Sequence, residues 1–299
     1  MLKLHYFKSA DGVPNFGDDL NPWLWRQLLA GYVASESDTL FAGIGTLLND
    51  RFPRSTRTIV FGSGVGFGTG IPRVDESWTF YCVRGPLSAH ALGLPPTLAI
   101  TDPALFVANL LPEWAAAPPF AFSYMPHYRN ASDHWATVCR RLGFGYVDPR
   151  SPLESVLDGI RCSRVLITEA MHGAIVADAL GIPWIAVRTG GAGTLEFKWR
   201  DWCASLGVAY RPHHVVPIFP SASAVRLTMK KGLAAAQLSW IARTAQPQSS
   251  DPDVRAHRLT RLHERLAQLK RDLDRERTVR PHHLGRPAGS GGPALIVHR

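Results

Sequence analysis

The strongest chemical signal in the chain is Glu169-Ala-Met-His172-Gly173. It follows an apolar run at 165–168 that reads as a buried strand and precedes an apolar helical stretch at 172–180. His172 therefore sits at a helix N-terminus, beside unpaired backbone N–H groups and the positive end of the helix dipole, a setting suited to anions. Gly173 permits close helix packing. The plainer reading is a packed or surface histidine at an ordinary turn, against which the strand-end position weighs. A second group, Asn15-Phe16-Gly17-Asp18-Asp19-Leu20-Asn21, puts two adjacent carboxylates at a helix entry. They can accept sugar hydroxyl protons or simply cap the helix. Glycine loops at 43–45 and 62–70 allow close backbone approach to a phosphate or sugar. Neither matches a Walker A or a dinucleotide fingerprint, and tight turns are the favoured explanation of both. Two cationic positions complete the set. Arg84 stands between a strand end and a helix start, and Lys198 and Arg200 lie in Phe-Lys-Trp-Arg-Asp-Trp at 197–202. Arginine suits bidentate carboxylate or phosphate binding, although isolated surface cations are usually just solvated. The two tryptophans can stack on sugar or, more commonly, fill a core.

The elements that must position these residues alternate. Strands are expected at 2–7, 39–42, 58–61 and 78–83, with helices from Asn21 or Pro22 to Ala30 and at 86–92. The segment PEWAAAPP at 112–119 reads as a linker. Beyond it the pattern restarts, with strands at 120–125, 145–147, 165–168 and 184–187 and helices at 133–142, 152–158, 172–180 and 195–206. Strands separated by helices imply parallel βαβ units, whose ligands lie at the carboxyl ends of the strands. The expected fold is α/β, with two Rossmann-like domains at 1–115 and 120–245 facing a central cleft. Residues 246–299 are expected as a C-terminal extension: a polar break, a highly charged helix at 254–277, and a Gly/Pro-rich tail. The leucines at 259, 262, 266, 269 and 273 form a stripe at helical spacing. Three roles are open to that helix: lying on anionic lipid, pairing with another helix, or standing solvated, the last slightly favoured.

The chain has 299 residues, 45% of them hydrophobic and 19% charged, enough apolar content for a sizeable core and against a mainly disordered protein. Its 33 Lys and Arg against 24 Asp and Glu leave a net charge of +9, which favours anionic partners. The charge is spread out and carries no nucleic-acid-binding module, so no nucleic-acid partner is expected. Cys82, Cys139, Cys162 and Cys203 form no C-x-x-C pair, which disfavours zinc or a disulfide framework and fits a reducing, cytoplasmic compartment. The first residues lack the apolar core of a signal peptide, and no apolar run is long enough to span a bilayer.

Taken in order, NFGDDLNPWLW, FAGIG, VFGSGVG, VRGPLS, TDPAL, EAMHGAIVADALGIPWIAV and KWRDW resemble the polysaccharide pyruvyl transferases of bacterial exopolysaccharide synthesis, the succinoglycan type above all. The resemblance spans residues 1–206. It implies a GT-B-like pair of Rossmann-like domains and transfer of the enolpyruvyl carbons of phosphoenolpyruvate to two hydroxyls of one sugar, closing a ketal and releasing phosphate. Phosphoenolpyruvate is then the donor substrate, and no further cofactor or metal is expected. The resemblance implies His172 and Asp18 as catalytic residues. His172 would be the general acid or hold the phosphate, and Asp18 would orient or deprotonate the acceptor. The resemblance carries Arg84 over to the donor side and Asn15 and Gly17 to the acceptor side; from their positions in the chain, Lys198 and Gly173 are expected on the donor as well, and Asp19 and Gly64 on the acceptor. One departure matters: where the family has arginine two residues before the histidine, this chain has Ala170, and Lys198 is the candidate replacement. The implied acceptor is a lipid-linked oligosaccharide at the cytoplasmic membrane face, with peripheral inner-membrane contact. The rival readings are a GT-B glycosyltransferase using a nucleotide sugar, and an inactive carbohydrate-binding or scaffold subunit.

Overall fold

A computed structural model describes residues 1–66, 70–113, 116–190, 194–219 and 223–279. Short runs rich in β-branched and aromatic residues, several ending in glycine, form two parallel sheets. In the first half, β1 (Lys3–His5), α1 (Phe16–Leu28), β2 (Thr39–Ala42), β3 (Arg57–Phe61) and β4 (Trp78–Cys82) are followed by α2 (Pro86–Ala91) and α3 (Val107–Leu110). The strands pair in the order β1-β2-β3-β4, all parallel. In the second half, β5 (Phe120–Met125), α4 (Asp133–Leu142), β6 (Gly145–Tyr146), α5 (Leu153–Arg161), β7 (Ser163–Thr168), α6 (Met171–Ala179), β8 (Trp184–Arg188), α7 (Thr194–Ser205) and β9 (His213–His214) build a sheet of order β6-β5-β7-β8-β9, again parallel. Two helices close the chain, α8 (Ala224–Thr244) and α9 (Pro252–Val279). The architecture is that of a GT-B-like pair of Rossmann-like halves with a C-terminal helical extension.

Two expectations are corrected. The first is the start of α1. It begins at Phe16 with Asn15 as its N-cap, so Asp18 and Asp19 lie in its first turn and Pro22 lies inside it. Asn-Pro imitates a helix entry, but here Asn21 compensates for the proline. Pro22 has no N–H for the Asp18 carbonyl four residues back, and the Asn21 amide donates to that oxygen at 3.3 Å. Asn21 also receives the Ile44 N–H at 2.8 Å and donates to the Ile44 carbonyl at 3.0 Å, tying α1 to the exit of β2.

The second correction concerns the charged helix at 254–277, whose leucine stripe is neither solvated nor free to lie on lipid. In α9, Leu262, Leu266, Leu269 and Leu273 are buried in the main hydrophobic core, with Leu259 partly buried against it. The chain returns to the first half to place them there. Gln248 pairs with Trp184 through two backbone hydrogen bonds, and Ser250 donates twice to buried Asp178. The expected polar break is therefore bound to β8 and α6. From it α9 runs beneath β4, where Asp272 receives the Tyr81 hydroxyl at 2.8 Å and Asp274 that of Tyr32 at 2.9 Å. The tail beyond Val279 lies outside the described residues, as do Trp114 and Ala115 of the expected linker and positions 67–69 of the second glycine loop.

The main core runs from Phe41 and Phe61 in the first sheet to Met171, Ile175 and Trp202 in the second half. The two halves thus meet through packed side chains, which fixes the loops at their strand tips relative to one another.

Candidate active site

All the groups with chemical potential come from carboxyl ends of strands or the helices that follow. His172 occupies the first turn of α6, after β7. Across the junction, Asp102 closes the turn that precedes a short 3-10 helix, where its Oδ1 caps the Ala104 N–H at 3.0 Å. The other oxygen, Oδ2, lies 3.5 Å from Nε2 of His172. Both atoms are buried, and neither has a hydrogen-bond partner besides this contact among the described residues. They face one another at ion-pair distance, each the polar group nearest the other's unused valence. The opposite edge of the ring explains Gly17, since a side-chain carbon there would collide with Nδ1 of His172. His172 is therefore held between Asp102 on one edge and the start of α1 on the other.

Asp18 follows Gly17 and accepts a hydrogen bond from the Asn15 side chain. Burial lifts its carboxyl from 3.8 to about 6, against the opposing pull of His172, the Asn15 bond and Lys198. Burial also raises Asp19. Lys198, from α7, lines a pocket with Gly17, His127, Ala170, Met171 and His172, and its charge acts on Asp18. Burial, with the nearby Arg84 cation, pushes its ammonium down to about 8, while Asp18 and Glu169 draw it back up. A buried lysine and a buried carboxylate, each perturbed and each acting on the other beside His172, are the arrangement expected where charge is to be bound or moved.

Sequence reasoning missed three residues of this cluster. Asp102 was visible only as the middle of a Thr-Asp-Pro turn. Glu169, at the exit of β7, was seen only as part of the turn before His172. Its carboxylate receives the His127 N–H at 3.0 Å, the Asn130 amide at 2.9 Å, the Thr189 N–H at 3.0 Å and the Thr189 hydroxyl at 2.5 Å. It thereby clamps the exits of β5, β7 and β8 together. His127 overlooks the pocket from the β5 exit, and burial, then the Lys198 charge, pushes it down to about 4, so it is a neutral imidazole at pH 7. Only knowledge of strand order, which brings these exits side by side, would have singled out Glu169 and His127.

The remaining expected residues are placed as follows. Asn15 and Gly17 line the pocket with His172 and Lys198. Gly173 is buried, with Met125 Sδ and Thr168 Oγ1 where a side chain would go, so it sets the closeness of α6 to β5 and β7. Gly64 is buried against the Arg84 guanidinium. Arg84 itself is fully buried. It donates to Asp201 at 3.1 Å, Thr46 at 2.8 Å and the Val65 carbonyl at 2.8 Å. Asp201 also receives the Ser88 N–H and hydroxyl. This network fastens the β3 and β4 exits to α7, the helix that carries Lys198. Trp199 and Trp202 are core residues packed with Trp184, and Arg200 is exposed and bound to Glu196.

The sequence profile of polysaccharide pyruvyl transferase matches residues 6–191. The chain belongs to that family. It is 40% identical over 258 residues, 85% of this chain and 78% of the relative, to the succinoglycan biosynthesis protein ExoV of Rhizobium meliloti strain 1021. The match takes in every loop of the cluster up to the β8 exit and, through the longer alignment, covers most of the chain. The protein is thus an enzyme of the pyruvyl transferase class, and the pocket at the strand tips is its candidate active site. Among the described residues no helix is long and apolar enough to cross a membrane.

Proposed function

We propose that this enzyme transfers pyruvate from phosphoenolpyruvate to two hydroxyls of one sugar in a lipid-linked oligosaccharide at the cytoplasmic membrane face. The observation that carries the assignment of roles is the His172–Asp102 pair, 3.5 Å apart across the junction of the two halves. A buried carboxylate on Nε2 leaves Nδ1 as the working nitrogen, on the edge that faces Gly17 and Asp18. Phosphoenolpyruvate needs cationic and N–H donors for its carboxylate and phosphate. Lys198 and the first turn of α6 supply both, and Lys198 takes over from the arginine that Ala170 replaces.

Protonation of the enol methylene by His172 makes it a methyl group and leaves an oxocarbenium-like centre at the neighbouring carbon. The first sugar hydroxyl attacks that carbon, and Asp18 receives its proton. The bond from this carbon to the phosphate oxygen then breaks, the second hydroxyl closes the ketal, and its proton leaves with phosphate. One hydroxyl proton thus replaces the one spent on the methyl group. Asn15 and Asp19 flank the acceptor side of the pocket, Gly17 and Gly173 allow the close packing around His172, and Arg84 with Gly64 positions α7. Each positioned proton transfer is worth about 10²–10⁴-fold.

Phosphate release from phosphoenolpyruvate, measured with purified enzyme and membrane-extracted glycolipid, tests this. His172→Ala should lower the rate by at least about a hundredfold. Consumption of a nucleotide sugar instead, or a His172→Ala enzyme as fast as wild type, would overturn it.

A further inference from the structure

Helix α8 has an apolar face that stands exposed among the described residues. Its inner side is accounted for: Ala234, Leu238 and Ile241 are buried in the cluster with Ile167, Ile185 and Val187 of the second sheet. The outer side carries Val225, Met229, Leu233 and Trp240, which are 72%, 69%, 51% and 55% exposed. Positions 225, 229, 233 and 240 fall on one stripe at helical spacing, about 22 Å long. Phe219, 49% exposed, lies just ahead of the helix. Single exposed apolar residues are ordinary, but an aligned row of large ones marks a contact surface.

The charges along the helix say what covers it. Over its 21 residues α8 has Arg226, Lys230, Lys231 and Arg243 and no acidic side chain. A second copy of the same helix would set cations against cations with no carboxylate to pair them. A surface of acidic phospholipid satisfies both features. The apolar stripe enters the acyl boundary, Trp240 sits at headgroup depth, and the cations stay among the phosphates with their stems along the apolar surface.

We infer that α8 is the face by which this enzyme docks on an anionic membrane surface. The inference takes its purpose from the lipid-linked acceptor read above, and it replaces α9, whose leucines are occupied in the core.

The test uses the full chain and sedimentation with phosphatidylcholine vesicles, with or without about a third phosphatidylglycerol. Each cation at an anionic surface is worth roughly fivefold in binding. Wild type should bind the anionic vesicles and only weakly the neutral ones. Lys230→Glu with Lys231→Glu, and separately Met229→Gln with Leu233→Gln and Trp240→Gln, should each lower anionic-vesicle binding by at least about tenfold. Met229, Leu233 and Trp240 are exposed and Lys230 and Lys231 half-buried, none of them in the core, so thermal midpoints should stay nearly unchanged, as should phosphate release with detergent-dispersed acceptor. Equal binding to both vesicle types, unchanged binding by the variants, or a wild-type dimer that the apolar variant dissociates without vesicle binding would overturn the inference. Vesicle binding without phosphate release would refute the pyruvyl-transfer roles and leave the docking face standing; the opposite result would do the reverse.

Discussion

Asp18→Asn should make the protein more stable and the enzyme much slower. Burial lifts the Asp18 carboxyl from 3.8 to about 6. At about 1.4 kcal/mol per tenfold, that rise corresponds to roughly 3 kcal/mol. Asp18 is partly exposed, and screening by water brings the effect to about 1–2 kcal/mol. The sign follows from proton linkage. The folded state holds the Asp18 proton more tightly than the unfolded state does, so the favourable contribution is complete below about pH 4 and is lost as pH rises through about 6. At pH 8 the wild type therefore carries a buried charge that the amide variant lacks, while the amide oxygen still accepts from Asn15. Thermal unfolding at pH 8 should show a midpoint higher by roughly 2–5 °C, with the gain vanishing near pH 4. Ketal formation should fall by about 10²–10⁴-fold, and wild-type activity should decline as pH drops below about 6. A variant that loses stability at pH 8, gains equally at both pH values, or keeps its activity would refute the reasoning.

Three further outcomes follow from the same structure. Leu269→Ala, at a fully buried position of α9, should cost about 2–5 kcal/mol in denaturant unfolding, whereas a merely solvated helix would show almost no change. Arg84→Met leaves Asp201 buried without its cation and should destabilise by about 3–5 kcal/mol; adding Asp201→Asn should recover part of the loss in a double-mutant cycle. Asp102→Asn should keep the cap on the Ala104 N–H but lower kcat by about 10²–10⁴-fold, and near-normal turnover would remove the His172–Asp102 pair from the mechanism.

Much of this fold is legible because each βα unit has its own local signal. The strand at 120–125 and the helix at 133–142 fall where the apolar and turn residues place them, and His172 lies in the first turn of its helix as its flanking runs require. What the sequence hides is which elements meet. A leucine stripe looks the same whether its partner is solvent, lipid or, as in α9, a sheet more than a hundred residues away. The Asn21-Pro22 pair suggested a helix start because the compensating bond to the Asp18 carbonyl depends on a fold already formed. The position of Arg84 marked it as functional, and its burial against Asp201 follows from α7 crossing over from the other half. Asp102 escaped notice for the same reason, since its partner His172 is 70 residues along the chain and becomes its neighbour only when the two halves dock.

The most direct test of the account is the isotopic composition of the ketal formed in heavy water. Phosphoenolpyruvate and glycolipid acceptor are incubated with enzyme in D₂O, and the released phosphate and the mass of the pyruvylated sugar are measured together. If His172 protonates the enol methylene, every ketal made carries solvent deuterium in its methyl group and is matched by one phosphate, and His172→Ala makes almost none. A ketal methyl without deuterium, phosphate release that does not match ketal, or an undiminished His172→Ala enzyme would contradict it.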